Sequence, residues 1–221
     1  MSELADDISE VHEIAAHLSE NLPSGFEIAM LTLDSKIPFK LLSYREALFY
    51  RFTETFVSAS ECIIASRPVS TALLTRSSME TLARMKELQA RIENFFANCD
   101  SDLLDEFIMK RLFGSRNIPD SPDAANILGA VDGMSDLIPT FRSVYDSLSE
   151  YCHPNYSGTF GTFAKIDREN FRVDFDNQQK KESPFKVLLP SLIASAGLME
   201  QIYNRVGEQM HAVNDHYENA D

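Results

Sequence analysis

Residues 68–97 read P-V-S-T-A-L-L-T-R-S-S-M-E-T-L-A-R-M-K-E-L-Q-A-R-I-E-N-F-F-A, and this run decides the fold class. Leu74, Ser78, Leu82, Met85, Leu88, Ile92 and Phe96 recur at steps of three and four, the period of a helix with one apolar side. Pro68 suits the first turn of that helix. Just upstream, Leu42 to Ser66 forms a second amphipathic helix, with Leu48, Phe52, Phe56, Ala59 and Ile63 on one side and Glu54 and Glu61 across from them. The short Ser66-Arg67-Pro68 junction predicts that the two fold back as an antiparallel pair. Arg45 falls on the apolar side of the first helix, where its long stem is expected to snorkel outward.

Working outward, Leu4, Ile8, Val11, Ala15 and Leu18 carry a helical period through residues 1–22, which Pro23-Ser24-Gly25 ends. Residues 26–40 form a connector of open state, because Pro38 forbids a simple continuation. Asp100-Ser101-Asp102 signals a helix over Leu103 to Phe113, closed by Gly114. A loop with two prolines follows, then a short helix near Ala124 to Val131. Pro139 begins a helix reaching Cys152, with Phe141, Val144, Tyr145, Leu148 and Cys152 as its buried line. After Gly158 the pattern alternates apolar and polar around Arg168-Glu169-Asn170, predicting a β-hairpin over 158–176. Ser183-Pro184 caps a last helix over 184–217, whose Pro190 is expected to kink it or mark its true start. The fold class is therefore mainly α: a single helical domain over 1–221, an antiparallel bundle with one small β-hairpin near residues 160–176.

The formal charge of −14 repels nucleic-acid backbones on average. Residues 40–97 depart from that average, holding eight Lys or Arg against six acids. No apolar run approaches the ~18 residues of a membrane span, and the acidic start lacks the basic and greasy regions of a leader, so a cytoplasmic chain without membrane contact is expected. Cys62, Cys99 and Cys152 are odd in number and far apart, which predicts buried thiols rather than disulfides or zinc ligands. The pairs His12/His17 and His211/His216 are five apart and point to different helix faces, so neither metal nor cofactor is implied.

Two constellations are left to carry chemistry. Arg76, Glu80, Arg84, Glu87 and Arg91 form one stripe of alternating charge opposite the core line. It is either a solvated face, or the polar side of a central helix lining a cleft in which Arg76 binds an anion and Glu80 orients it. On the helix ending at Cys152, Arg142, Asp146, Ser149 and His153 share a narrow sector. His153 precedes Pro154, so its ring is expected at or past the helix end, where the dipole favours a protonated imidazole. That placement suits a general acid, an anion contact or a simple cap. Asn155, Gly158 and Gly161 follow, but they lack the spacing of a phosphate loop and read better as a tight turn.

The segments R-S-S-M-E (Arg76 to Glu80) and L-S-E-Y-C-H-P-N-Y-S-G (Leu148 to Gly158), with I-P-F-K-L-L-S-Y-R-E-A-L upstream, resemble a group of uncharacterised bacterial helical proteins. More distantly, a helical bundle with Arg and His on different helices is similar to the HEPN superfamily. Its active members are metal-independent ribonucleases of toxin and phage-defence systems, with Arg four to six residues before His. Here Arg142 precedes His153 by eleven positions, ~16 Å along a helix, so Arg76 from another helix would have to supply the cation.

Two functions are thus carried forward. One is a helical binding or regulatory module, a homo-oligomer whose outer-helix apolar faces meet a protein partner. The other is an HEPN-like endoribonuclease acting on RNA, with His153, Arg76, Glu80 and Ser149 as catalytic candidates and Arg45, Arg142 and Asn155 as ligand-binding candidates.

Overall fold

The computed structural model describes residues 3–176 and 182–219. Among them are eight α-helices and one antiparallel hairpin, so the mainly α bundle is as the periodicity predicts. The elements in chain order are α1 (Glu3–Glu20), α2 (Ile37–Ile64), α3 (Pro68–Asn98), α4 (Ser101–Phe113), α5 (Leu128–Gly133), α6 (Phe141–Cys152), α7 (Phe160–Phe163), β1 (Ala164–Asp167), β2 (Arg172–Phe175) and α8 (Glu182–Glu218). Short 3-10 turns stand at Ile28–Met30 and Met134–Asp136.

The centre of the bundle is α3, which packs against α2, α4, α5, α6 and α8. Its expected line is buried at Ser78, Leu82, Met85, Leu88 and Ile92. At the C-terminal end the line drifts: Phe95 is buried and Phe96 exposed, because α8 arrives there and Tyr217 stacks on Phe95 at 5.9 Å between ring centroids. Leu48, Phe52, Phe56, Ala59 and Ile63 of α2 are all buried, as are Val11, Ala15 and Leu18 of α1. Polar pairs join α2 to α3, with Arg51 donating to the Ser77 hydroxyl at 3.0 Å and the Thr55 and Ser78 hydroxyls 2.9 Å apart.

Several boundaries differ from expectation for local reasons. Pro38 opens α2 instead of barring it, since the first turn of a helix needs no amide hydrogen from that position. The short helix before α6 begins at Leu128, and α6 itself begins at Phe141, two residues past Pro139. The Asp100 carboxylate caps α4 by accepting from Leu103 N–H at 2.9 Å. Gly114 closes α4 at an ordinary φ of −61°; a Cβ there would meet the Lys110 carbonyl at 2.2 Å, so close approach dictates the glycine. Pro190 lies inside α8 instead of starting it, and the expected cap at Ser183 falls on a side chain outside those described.

Over Pro184–Glu218, α8 is long and apolar enough to cross a membrane, with a mean hydropathy of 1.2 in its best window. Its apolar line, Leu188, Leu189, Leu192, Met199, Ile202, Val206 and Val213, is buried inside the fold, against a bundle that also holds α1, α2 and α3. The hairpin is shorter than its alternation suggests, because residues 160–163 wind into the turn of α7. It pairs Ala164 with Phe175, Lys165 with Asp174, Ile166 with Val173 and Asp167 with Arg172.

Candidate functional site

The stripe on α3 is not a solvated face. α4, α6 and the segment between them lie against it, so Arg76, Glu80, Arg84 and Glu87 are only partly exposed, and Arg91 alone reaches open solvent. The stripe divides into two clusters. Toward its C-terminal end the Glu87 carboxylate accepts from Arg84 at 2.7 Å and from Arg111 of α4 at 2.6 and 3.0 Å. Arg84 also donates to the Ala125 carbonyl at 2.9 Å, tying down the loop after α4. Burial alone would raise the Glu87 carboxyl, but the two guanidinium groups outweigh it and hold it below the usual carboxylate range.

The N-terminal cluster is where α3 meets α6. Arg76 Nη2 donates to the Tyr145 hydroxyl at 2.6 Å, and that hydroxyl donates to Glu80 Oε1 at 2.7 Å. Arg76 and Glu80 also pair directly at 3.4 Å, one helical turn apart. Burial works against the guanidinium charge, yet the Tyr145 bond and the Glu80 carboxylate more than offset it and raise its proton affinity. The Arg76 Nε–H is buried and finds no acceptor among the described residues. Burial pushes the Cys152 thiol up, and the opposing pull of Arg76 only partly corrects this, so the thiol stays protonated and is no activated nucleophile.

His153 caps α6 in extended backbone (φ −93°, ψ 147°), as the following proline requires. Its ring is exposed and bonds to no described residue. The structure therefore brings Arg76, Glu80, Tyr145 and Cys152 together and sets His153 one residue beyond them, on the water side. The other candidates are spent on the fold. Ser149 donates to the Tyr145 carbonyl at 2.9 Å, an interaction within its own helix. Arg142 is held by Asp146 at 3.0 Å and by Asp132. Asn155 donates to Glu150 at 2.6 Å and accepts from Gly158 N–H at 3.2 Å, closing a turn. A Cβ on Gly158 would meet the His153 carbonyl at 2.2 Å and one on Gly161 the Tyr156 carbonyl at 2.7 Å, so both glycines serve close backbone packing.

Arg45 does not snorkel. Its side chain is 12% exposed, pairs with Glu46, and donates through Nε and Nη2 to the Tyr203 carbonyl at 3.2 and 3.1 Å. It turns inward because Gly207, one turn further along α8, leaves the space: a Cβ there would stand 2.8 Å from Arg45 Nη2. The cysteines are free, and Cys99 is exposed instead of buried, because it occupies the left-handed cap of α3 (φ 53°). No group of three metal-ligating side chains occurs among the described residues.

Sequence reasoning missed Tyr145 as a polar bridge, counting it only toward the core. The available signal was that a tyrosine on a buried line needs a partner for its hydroxyl. Nor did it find Arg111, since α4 meets α3 only in the folded chain. No family model matches the chain, and neither a curated protein nor a solved structure matches it.

Proposed function

We propose that the chain is a helical binding or regulatory module that docks a protein partner through its β-hairpin. One observation carries this reading. The residues paired on one face of the hairpin are Ala164, Ile166, Val173 and Phe175, and all but Ala164 are exposed, Phe175 by 70%. Phe171 at the turn is 97% exposed, and Phe160 and Tyr156 extend the apolar strip toward the body through ring contacts at 6.3 and 6.2 Å. Contiguous apolar surface of this kind, on a sheet with open edges, marks a place that is covered in use. A photoreactive phenylalanine analogue at Phe171 of the full chain is expected to give a discrete protein adduct that Phe175→Lys abolishes. The same analogue at exposed Phe113 serves as control. Absence of a Phe171-specific adduct would end the reading.

A second reading is an HEPN-like metal-independent endoribonuclease, and one observation favours it. Arg76 meets the end of α6 at Tyr145 and Cys152, one residue before the exposed ring of His153. In that reading His153 moves the proton and Arg76, turned from Tyr145, faces the developing phosphorane charge, with Glu80 and Ser149 as positioning residues. Mixed RNA incubated with purified protein and with His153→Ala tests it; equal cleavage by both removes His153 from any mechanism.

A further inference from the structure

The hairpin has an edge that matches itself. Asp176 N–H donates to the Phe163 carbonyl at 3.0 Å, which sets the phase of the ladder. Hydrogen-bonded and non-bonded pairs alternate in an antiparallel ladder, so Lys165/Asp174 and Asp167/Arg172 are the bonded pairs. The backbone N–H and C=O of Val173 and Phe175 consequently point away from β1, and no described residue takes them. On β1 the carboxylate of Asp167 is already engaged, accepting from the Glu169 and Asn170 N–H groups at 3.0 and 3.1 Å. The edge of β2 that faces away from β1 thus combines backbone groups that no described residue takes with exposed apolar side chains.

We infer that the partner of this edge is a second copy of the chain, paired antiparallel through β2 about a twofold axis at Val173. This rests on the docking role proposed above for the hairpin. Two registers centred within β2 bring outward backbone groups together: one about Asp174, which pairs Val173 with the partner's Phe175, and one about Val173, which pairs Val173 with the partner's Val173. Centring on Asp174 sets two like carboxylates face to face, which is unfavourable. Centring on Val173 sets Val173 against the partner's Val173 and brings the Arg172–Asp174 ion pair, 2.5 Å within the strand, against its copy in reversed order, so that Arg172 faces the partner's Asp174 and Asp174 the partner's Arg172. The exposed Phe171 then comes beside the partner's Phe175. Net charge agrees: a chain of −14 must repel its copy, yet residues 164–175 hold three basic residues (Lys165, Arg168, Arg172) and three acidic ones (Asp167, Glu169, Asp174). The hairpin is a neutral patch where two acidic molecules can meet. The product is a four-stranded sheet, more stable than the two strands that each copy supplies.

Sedimentation equilibrium of the full chain is expected to give twice the chain mass. Val173→Pro removes only an outward N–H, a place where an edge strand tolerates proline, and is expected to give a monomer with unchanged far-ultraviolet circular dichroism. Arg172→Asp and Asp174→Arg each place like charges across the proposed axis and are expected to be monomeric alone. Mixed in equal amounts they are expected to form a heterodimer, which intrachain effects do not produce. A wild-type monomer at all concentrations overturns self-pairing; if Phe171 still gives its specific adduct, the docking reading survives, and if it gives none, both fall. A dimer that persists in Val173→Pro, or single-charge variants that do not associate on mixing, overturns the proposed edge and register.

Discussion

The molecule contains the same three residue types in the same relation twice, and the two trios do different things. Arg45, Glu46 and Tyr203 join α2 to α8; Arg76, Glu80 and Tyr145 join α3 to α6. In both, the tyrosine hydroxyl donates to the glutamate at 2.7 Å and the guanidinium lies near the tyrosine ring, 3.5 Å from the centroid in the first and 4.8 Å in the second. The first trio is saturated. Arg45 spends Nε and Nη2 on a backbone carbonyl and Nη1 on Glu46, and Phe49 stacks on Tyr203 at 4.3 Å. The second is not: Arg76 is 28% exposed, its Nε is buried without an acceptor among the described residues, and the exposed His153 follows the Cys152 that Arg76 faces. A buried charge with every nitrogen engaged is a brace. One with a donor left over retains capacity for another acceptor.

That contrast breaks most readily at Arg45. Arg45→Ala takes the positive charge away from the partly buried Glu46 carboxylate, which keeps only the Tyr203 hydroxyl, and removes the side-chain donor to the Tyr203 carbonyl; it is expected to cost about 3–5 kcal/mol in chemical denaturation. Equal loss from Arg76→Ala would erase the distinction, because that more exposed, less saturated site is expected to cost only about 1–2 kcal/mol. Alkaline titration sharpens the comparison further. Burial, with Glu46, pushes Tyr203 up to about 12, and burial does the same to Tyr44 against the pull of Arg84 and Arg111. A phenol whose pKa rises on folding contributes stability that is complete below its unfolded pKa, ~10, and is lost as pH rises toward 12. Tyrosinate absorbance and loss of helical signal should therefore rise together over that window. In acid the sign reverses for Glu87: its depressed carboxyl contributes stability that disappears as pH falls through the folded pKa, so Glu87→Gln should flatten the acid limb of the unfolding curve. The smallest effect is expected at His153. Its ring is exposed and bonds to no described residue, so His153→Ala should shift stability by no more than about 0.5 kcal/mol.

Much of this architecture was legible because helical periodicity is a local property. The apolar lines of α1, α2 and α3, the cap at Asp100 and the extended backbone at His153 each follow from residues within a turn or two of one another. Where a neighbouring element decides the outcome, local reading fails. A charge stripe opposite the core line of α3 looks solvated until α4 and α6 are laid against it, and Phe95 and Phe96 exchange roles only because α8 passes there. Arg45 looks free to snorkel until the gap at Gly207 is known. The hairpin's alternation was visible, but α7 consumed its first residues through contacts with the preceding turn.

Read alone, the amino-acid order determined that this chain is a helical bundle with one hairpin, where each long helix hides its apolar side, and that His153 ends a helix. Those outcomes depend on side-chain period and on proline sterics, both written into neighbouring positions. Which arginines are braces and which keeps a spare donor, and which edge of the hairpin is open, only the tertiary structure decided. Partners such as Tyr145 and Tyr203 lie some 70 to 160 positions from the arginines they meet. Satisfaction of a buried charge is a property of that meeting and of nothing nearer in the chain.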